Sequence, residues 1–174
     1  MIDLRDFYAA LFQFRDGFIE FRALPSKHRE FVIPGDMAKV QRFIDAHRTE
    51  NVYFAVAARK DKTSGRLENC SVIRCLFADV DFKLFESESE ARQALESFPL
   101  KPSMVVHSGG GLHCYWLLAE PIDLRVQAAE CKSLLRSIAR AIGADLSSAE
   151  PAHILRVPQS FNHKYDPPRI VHFV

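Results

Sequence analysis

Net charge is almost absent from this chain. Its 174 residues carry 23 Lys and Arg against 22 Asp and Glu, a formal net charge of +1. Such balance excludes a strong global pull on nucleic acid, so any polyanion contact must come from local clusters of charge. No apolar run approaches the ~18 residues of a membrane span, and none is expected. The start, Met1-Ile2-Asp3-Leu4-Arg5-Asp6, has neither the basic opening nor the apolar centre of a secretory leader. The four cysteines, Cys70, Cys75, Cys114 and Cys131, form no C-x-x-C pair, which argues against a structural zinc site. They read as small core residues, and a reducing, cytoplasmic setting is the expectation. There is no internal repeat, low-complexity tract or linker. What remains is ordinary for one globular unit with a real core: 48% hydrophobic and 26% charged.

The most informative stretch is Leu76-Phe77-Ala78-Asp79-Val80-Asp81-Phe82. Two acids stand two residues apart in an apolar, β-favouring run. On a strand they share a face, roughly 7 Å apart at their Cα atoms. Like charges so placed destabilise a fold unless something neutralises them, and hard carboxylate oxygens suit Mg2+ or Mn2+. Two ordinary surface acids at a strand end are the plainer alternative.

Around that stretch the pattern alternates helices and strands. Leu4, Phe7, Leu11 and Phe14 predict a first helix stopped by Gly17, followed by a strand over 18–24 and a basic turn with Lys27 and Arg29. Asp36 predicts a helix N-cap, and Asn51 to Ala57 a strand. The charged segment 59–66 reads as a mobile loop. Ser87 and Glu90 fit a capping box, strands are expected over 103–107 and 112–118, and the longest helix over 124–142, between Asp123 and Gly143. Late strands are expected over 153–157 and 169–173.

Ser108-Gly109-Gly110-Gly111 joins two of those strands, with His113 just beyond. Consecutive glycines can bare backbone N–H groups as a nest for phosphate oxygens, and His113 could donate to the same anion. A glycine-rich hairpin with a core histidine is the alternative. The Gly-Lys-Ser/Thr ending of a P-loop is missing. Further along come Asp145, a third acid or simply a turn residue, then Arg156, whose guanidinium could fork onto phosphate, and Lys164.

The order of these pieces resembles the catalytic core of the archaeo-eukaryotic primase superfamily, in particular the primase-polymerase domains of plasmid and phage replication proteins. The likeness runs from about Asn51 to Lys164. Asp79-Val80-Asp81 matches that family's first metal-binding motif, and Gly111-Leu112-His113 its small-residue–any–histidine motif. Asp145 falls where the third acid is expected, with Glu150 near enough to compete. Arg156-Val157-Pro158 and Asn162-His163-Lys164 resemble a segment usually written Arg-x-Pro-Gly…Asn-x-Lys, with Gln159 in place of the glycine.

The resemblance implies an α+β fold: an RRM-like core over 49–174, a mixed β-sheet flanked by helices, with a small N-terminal αβ module over 1–48 packed on it as one catalytic domain. It implies a template-dependent nucleotidyltransferase, a DNA primase/polymerase of mobile-element replication. Asp79, Asp81 and Asp145 would hold two Mg2+ or Mn2+ ions. Ser108, Gly109, Gly110, Gly111, His113, Arg156 and Lys164 would hold the NTP or dNTP. Arg59, Lys60 and Lys62, with Lys27 and Arg29 as further candidates, would track the single-stranded DNA template and primer. A helicase or an additional priming domain are the expected protein partners.

Three rival readings remain. A rolling-circle initiator nuclease needs two histidines flanking one apolar residue, and His107 and His113 are too far apart for that; Tyr165 alone does not supply the rest. A single-strand-binding module would carry the acids without chemistry. A nucleotide hydrolase would act without any template.

Overall fold

The computed structural model describes residues 2–13 and 17–174; Phe14, assigned above to the first helix, lies outside them. Helix α1 covers Leu4–Leu11, with Asp3 Oδ1 accepting from the Asp6 amide at its N-terminus. Strands β1 (Ile19–Leu24) and β2 (Arg29–Val32) form a hairpin. Helix α2 (Met37–Ala46) starts at Asp36, and β3 spans Asn51–Ala55. Then come β4 (Val72–Asp81), α3 (Glu88–Ser97), β5 (Met104–His107), β6 (Gly111–Asp123) and α4 (Leu124–Ile142). The chain closes with β7 (Ile154–Arg156), β8 (Phe161–Asn162), β9 (Arg169–Ile170) and β10 (His172–Phe173).

The strands make two four-stranded sheets and a two-stranded ribbon. The first sheet runs β2-β1-β3-β7 and the second β10-β5-β6-β4, with β8 and β9 paired separately. Every pairing between these strands is antiparallel. The architecture is therefore α+β, but the expected mixed sheet is replaced by two antiparallel ones. The expected boundary at 48/49 falls inside a sheet. The hairpin β1–β2 is the outer half of a sheet that continues through β3 into β7.

One hydrophobic core joins the sheets. Helix α1 wedges into their junction. The Phe7 ring meets Phe54 of the first sheet and Tyr115 and Phe173 of the second, and Tyr8 meets Phe21 and Phe54. Helix α4 packs on β4 and β6, burying Cys131, Leu135, Ile138 and Ile142. All four cysteines are free and buried.

Candidate active site

Strand β4 is long enough to run from core to solvent on one face. Phe77 is fully buried, and its ring stacks on His153. Two and four residues on, Asp79 and Asp81 emerge on that face. The antiparallel register sets Asp79 opposite His113 and Asp81 opposite Gly111 on β6. A Cβ on Gly111 would sit 2.5 Å from the Val80 carbonyl oxygen. Glycine is required there by the close approach of the two strands.

Asp145 reaches the same place by another route. Gly143, in the left-handed conformation at φ 80°, ends α4 and turns the chain back onto β4. The Asp145 amide then donates to the Asp79 carbonyl at 2.9 Å. Arg156 arrives from β7, opposite Tyr53 on β3. Its guanidinium lies 4.9 Å from the Tyr53 ring centroid and donates to Asn51 Oδ1 at 2.5 Å. Asn51 Oδ1 also accepts from the His163 amide.

A cavity of about 330 Å³ opens at this junction. Asp79, Asp81, Asp145, Ser108, Gly110, His113, Arg156 and Lys164 all line it. Glu150 does not; it pairs with Lys132 at 2.7 Å. His107 is also elsewhere, stacked on His172. Sequence reasoning left out Tyr53, Lys83, His153 and Tyr165, which line the cavity as well. The alternation Asn51-Val52-Tyr53 was the available signal for Tyr53. For the other three, only the tertiary fold brings them in.

Burial and repulsion set the electrostatics. Asp79 is pushed up to about 7 by burial and then by the charges of Asp81 and Asp145, against the pull of Arg156 and Lys83. Its Oδ1 lies 3.8 Å from His113 Nε2, too far for a hydrogen bond. His113 is almost wholly buried and is held down to about 3 by burial, with the charges of Arg156, His153 and His107 adding to it. It is a neutral imidazole, and its buried Nδ1 has no partner. Burial raises the Asp145 carboxyl, but hydrogen bonds from the Ser147 hydroxyl and amide bring it below its ordinary value.

Among the described residues, no three His, Cys, Asp or Glu side chains converge closely enough to cage a metal as they stand. Asp81 Oδ2 is turned to Lys83 Nζ at 2.7 Å and Asp145 to Ser147. The donor set nonetheless fits a hard divalent cation. Three carboxylates line one cavity, and Asp79 is held partly protonated by burial and then by the charges of the other two, a penalty that nearby positive charge would offset.

The glycine turn is not the open nest expected. The Ser108 amide bonds Gly111 O at 2.9 Å and the Gly109 amide bonds His107 Nδ1 at 3.1 Å. Gly109 has φ 86°, and a Cβ on Gly110 would strike the Tyr165 hydroxyl. The run packs a tight corner, held from behind by Asn162, whose Nδ2 donates to Ser108 O.

Arg59 also needs correction. It is completely buried, bonded to Glu20 Oε2 at 2.9 Å, Cys70 Sγ and Ala152 O. No phosphate can reach it. Its segment is pinned as well, since Asn69 Nδ2 donates to the carbonyls of Asp61 and Ser64. Lys60 and Lys62 are exposed but lie outside the cavity lining, and Lys62 Nζ sits over the Phe18 ring.

No protein-family model matches the sequence. Solved structures do resemble the fold. The AEP domain of the Cyanophage S-2L primase-polymerase superposes with a TM-score of 0.64 at 16% identity, over 91% of this chain and 80% of that one. The primase RepB' superposes with a TM-score of 0.63 at 14% identity, over 99% of this chain and 56% of that one. The catalytic domain of RepB' bound to initiator DNA gives 0.61 at 15% identity, over 98% and 80%. The chain shares the fold of these primase and primase-polymerase domains. In sequence, a replication protein of Clostridium perfringens is 30% identical over 123 residues, 66% of this chain. The chain spans 30% of that relative's length.

Proposed function

We infer that this chain is a template-dependent nucleotidyltransferase of the primase-polymerase kind, joining a nucleotide to a 3′-hydroxyl with loss of pyrophosphate. The observation that carries the reading is the meeting of three carboxylates with His113, Arg156 and Lys164 around one cavity of this fold. A cavity lined by both carboxylates and cations suits a nucleotide triphosphate and the divalent ions that accompany it. Asp79, Asp81 and Asp145 would hold the metal. When bound, Mg2+ or Mn2+ would lower the pKa of the attacking hydroxyl and neutralise charge on the phosphates.

The chain's other residues bind and orient. Arg156, braced by Asn51 and stacked on Tyr53, presents its guanidinium to phosphate oxygens. Lys164, which also lines the cavity, adds a second positive charge for the phosphates. His113 is neutral at physiological pH, so it donates one N–H to the nucleotide and exchanges no proton with it. Asn162 keeps the glycine corner and the Lys164 loop in place, accepting from the Lys164 amide at 3.1 Å. Ser108 Oγ bonds Gly111 O, so Ser108 shapes the corner.

A nucleic-acid-binding module without chemistry is favoured by one observation, the turning of Asp81 and Asp145 toward Lys83 and Ser147. Pyrophosphate release from NTPs and dNTPs, with Mg2+ or Mn2+ and with or without a primed single-stranded template, separates the readings. Release is expected only when a template strand is present, primed or unprimed. Turnover of nucleotide alone would indicate a hydrolase, and no turnover with tight strand binding would indicate the binding module.

A further inference from the structure

The first sheet carries a row of side chains that the site does not exhaust. Register pairs Arg29 with Arg22, Arg22 with Tyr53, and Tyr53 with Arg156. Directly paired residues of adjacent strands share a face. Arg29, Arg22, Tyr53 and Arg156 therefore form one line across β2, β1, β3 and β7. Its inner end, Tyr53 and Arg156, lines the active-site cavity together with Leu24. Its outer end, Arg22 and Arg29, lines a second hollow of about 660 Å³, whose other walls are Ser64, Gly65, Arg66 and Glu68.

The outer end holds more positive charge than the fold uses. Glu20 is fully buried and is the single carboxylate facing three guanidiniums: Arg59 at 2.9 Å, Arg22 at 2.5 Å and Arg29 at 3.4 Å. Arg59, itself buried, already supplies the internal pair. Arg29 is the looser partner and is 40% exposed. Arg66, exposed, lines the same hollow, as does Glu68. Gly65 lets the loop backbone lie directly on the Glu20–Arg22 pair, because a Cβ there would sit 2.5 Å from Arg22 Nη2. This fixes Arg66 at the rim. In a chain of net charge +1, such a local excess is the footprint of a polyanion.

We propose that the line Arg156–Tyr53–Arg22–Arg29, with Arg66, is the track on which a single strand of nucleic acid leaves the active site. Three interstrand steps of ~4.8 Å span about 14 Å, the length of about four stacked nucleotides at ~3.4 Å each. Arginines contact the phosphates, and Tyr53 offers an aromatic edge among them, the combination used for sequence-independent single-strand binding. The inference rests on the proposed activity only for what lies at the track's inner end.

The test is the salt dependence of binding to a labelled single-stranded oligothymidylate, read by fluorescence anisotropy. The double variant Arg29→Gln/Arg66→Gln leaves Glu20 paired with Arg59 and Arg22. It should make the slope of log K against log salt shallower by about 1.4, from two charges at ~0.7 each. Arg29→Lys/Arg66→Lys keeps both charges and should keep the slope, which excludes a folding defect as the cause. An unchanged slope in the Gln pair overturns the track, and so does a loss confined to Lys60→Gln/Lys62→Gln. Failure of the activity is read separately. A strand that binds with the predicted slope change, yet is never extended by the wild-type chain, overturns the nucleotidyltransferase reading and leaves the track standing.

Discussion

Asp79 concentrates the chemistry and the cost of the site in one side chain. Its carboxyl is raised from about 3.9 in an unfolded chain to about 7 here. A raised carboxyl binds its proton more tightly in the folded state, so the contribution of Asp79 to folding stability is greatest below about pH 4 and falls as pH climbs through 7. In metal-free buffer, Asp79→Asn should flatten that decline and stabilise the protein at pH 8 by at most about 4 kcal/mol. Thermal melts at several pH values check this, and a wild-type curve as flat as the variant's would contradict it. Added Mg2+ or Mn2+ should raise the melting temperature of the wild type and leave that of Asp79→Asn unmoved. At the neighbouring position, His113→Ala should weaken nucleotide binding by about tenfold, the worth of one hydrogen bond to a charged group. Because burial keeps His113 neutral down to about pH 3, nucleotide affinity should show no step from this imidazole between pH 5 and 8. Titration calorimetry across that range decides it.

At the scale of elements, local signals were legible where one turn or cap carried them. Asp123 and Gly143 bracket α4 as the sequence predicts, and Asp36 caps α2. Ser87 Oγ accepts from the Glu90 amide, but the Glu90 carboxylate takes the Glu86 amide in place of the Ser87 one, half of the expected box. Strand β6 runs on to Asp123 because β4 pairs with it across a register shift between Ile73 and Cys75, which no local pattern announces. The last apolar segment splits into two short strands with different partners, β9 on β8 and β10 on β5. Arg59 misled because charge in a loop-like sequence says nothing of a buried Glu20 39 residues earlier. The departure at Gln159 is explained by the backbone. The residue adopts φ 68°, and its amide bonds Val171 O at 2.7 Å. A left-handed turn is required there, and glutamine occupies it at a cost of roughly 1–2 kcal/mol. Gln159→Gly should therefore stabilise the fold by about 1 kcal/mol. Chemical denaturation measures it, and destabilisation would contradict the account.

Across the whole molecule, the site is a product of topology. Asp79 and Asp81 come from β4, Asp145 from beyond α4 and Arg156 from β7, separated by up to 77 residues and brought to one cavity where the two sheets meet. The candidate acids could be picked out in the sequence because their residue types and order are unusual together. The cavity's Lys83, His153 and Tyr165 could not, because no local pattern marks them, and for Tyr53 the strand alternation around it was the one signal. The same sheet that supplies Arg156 carries its face outward to Arg22 and Arg29, so the N-terminal hairpin continues the face that lines the cavity. No helix among the described residues is long and apolar enough to cross a membrane. The most direct test is a primer-extension gel on a single-stranded template, with Mg2+ or Mn2+, NTPs or dNTPs, and primed and unprimed lanes for the wild type and Asp79→Ala. Template-directed product from the wild type, lost in Asp79→Ala, is the predicted result. Equal product from the two proteins, or none from the wild type in any lane, would contradict it.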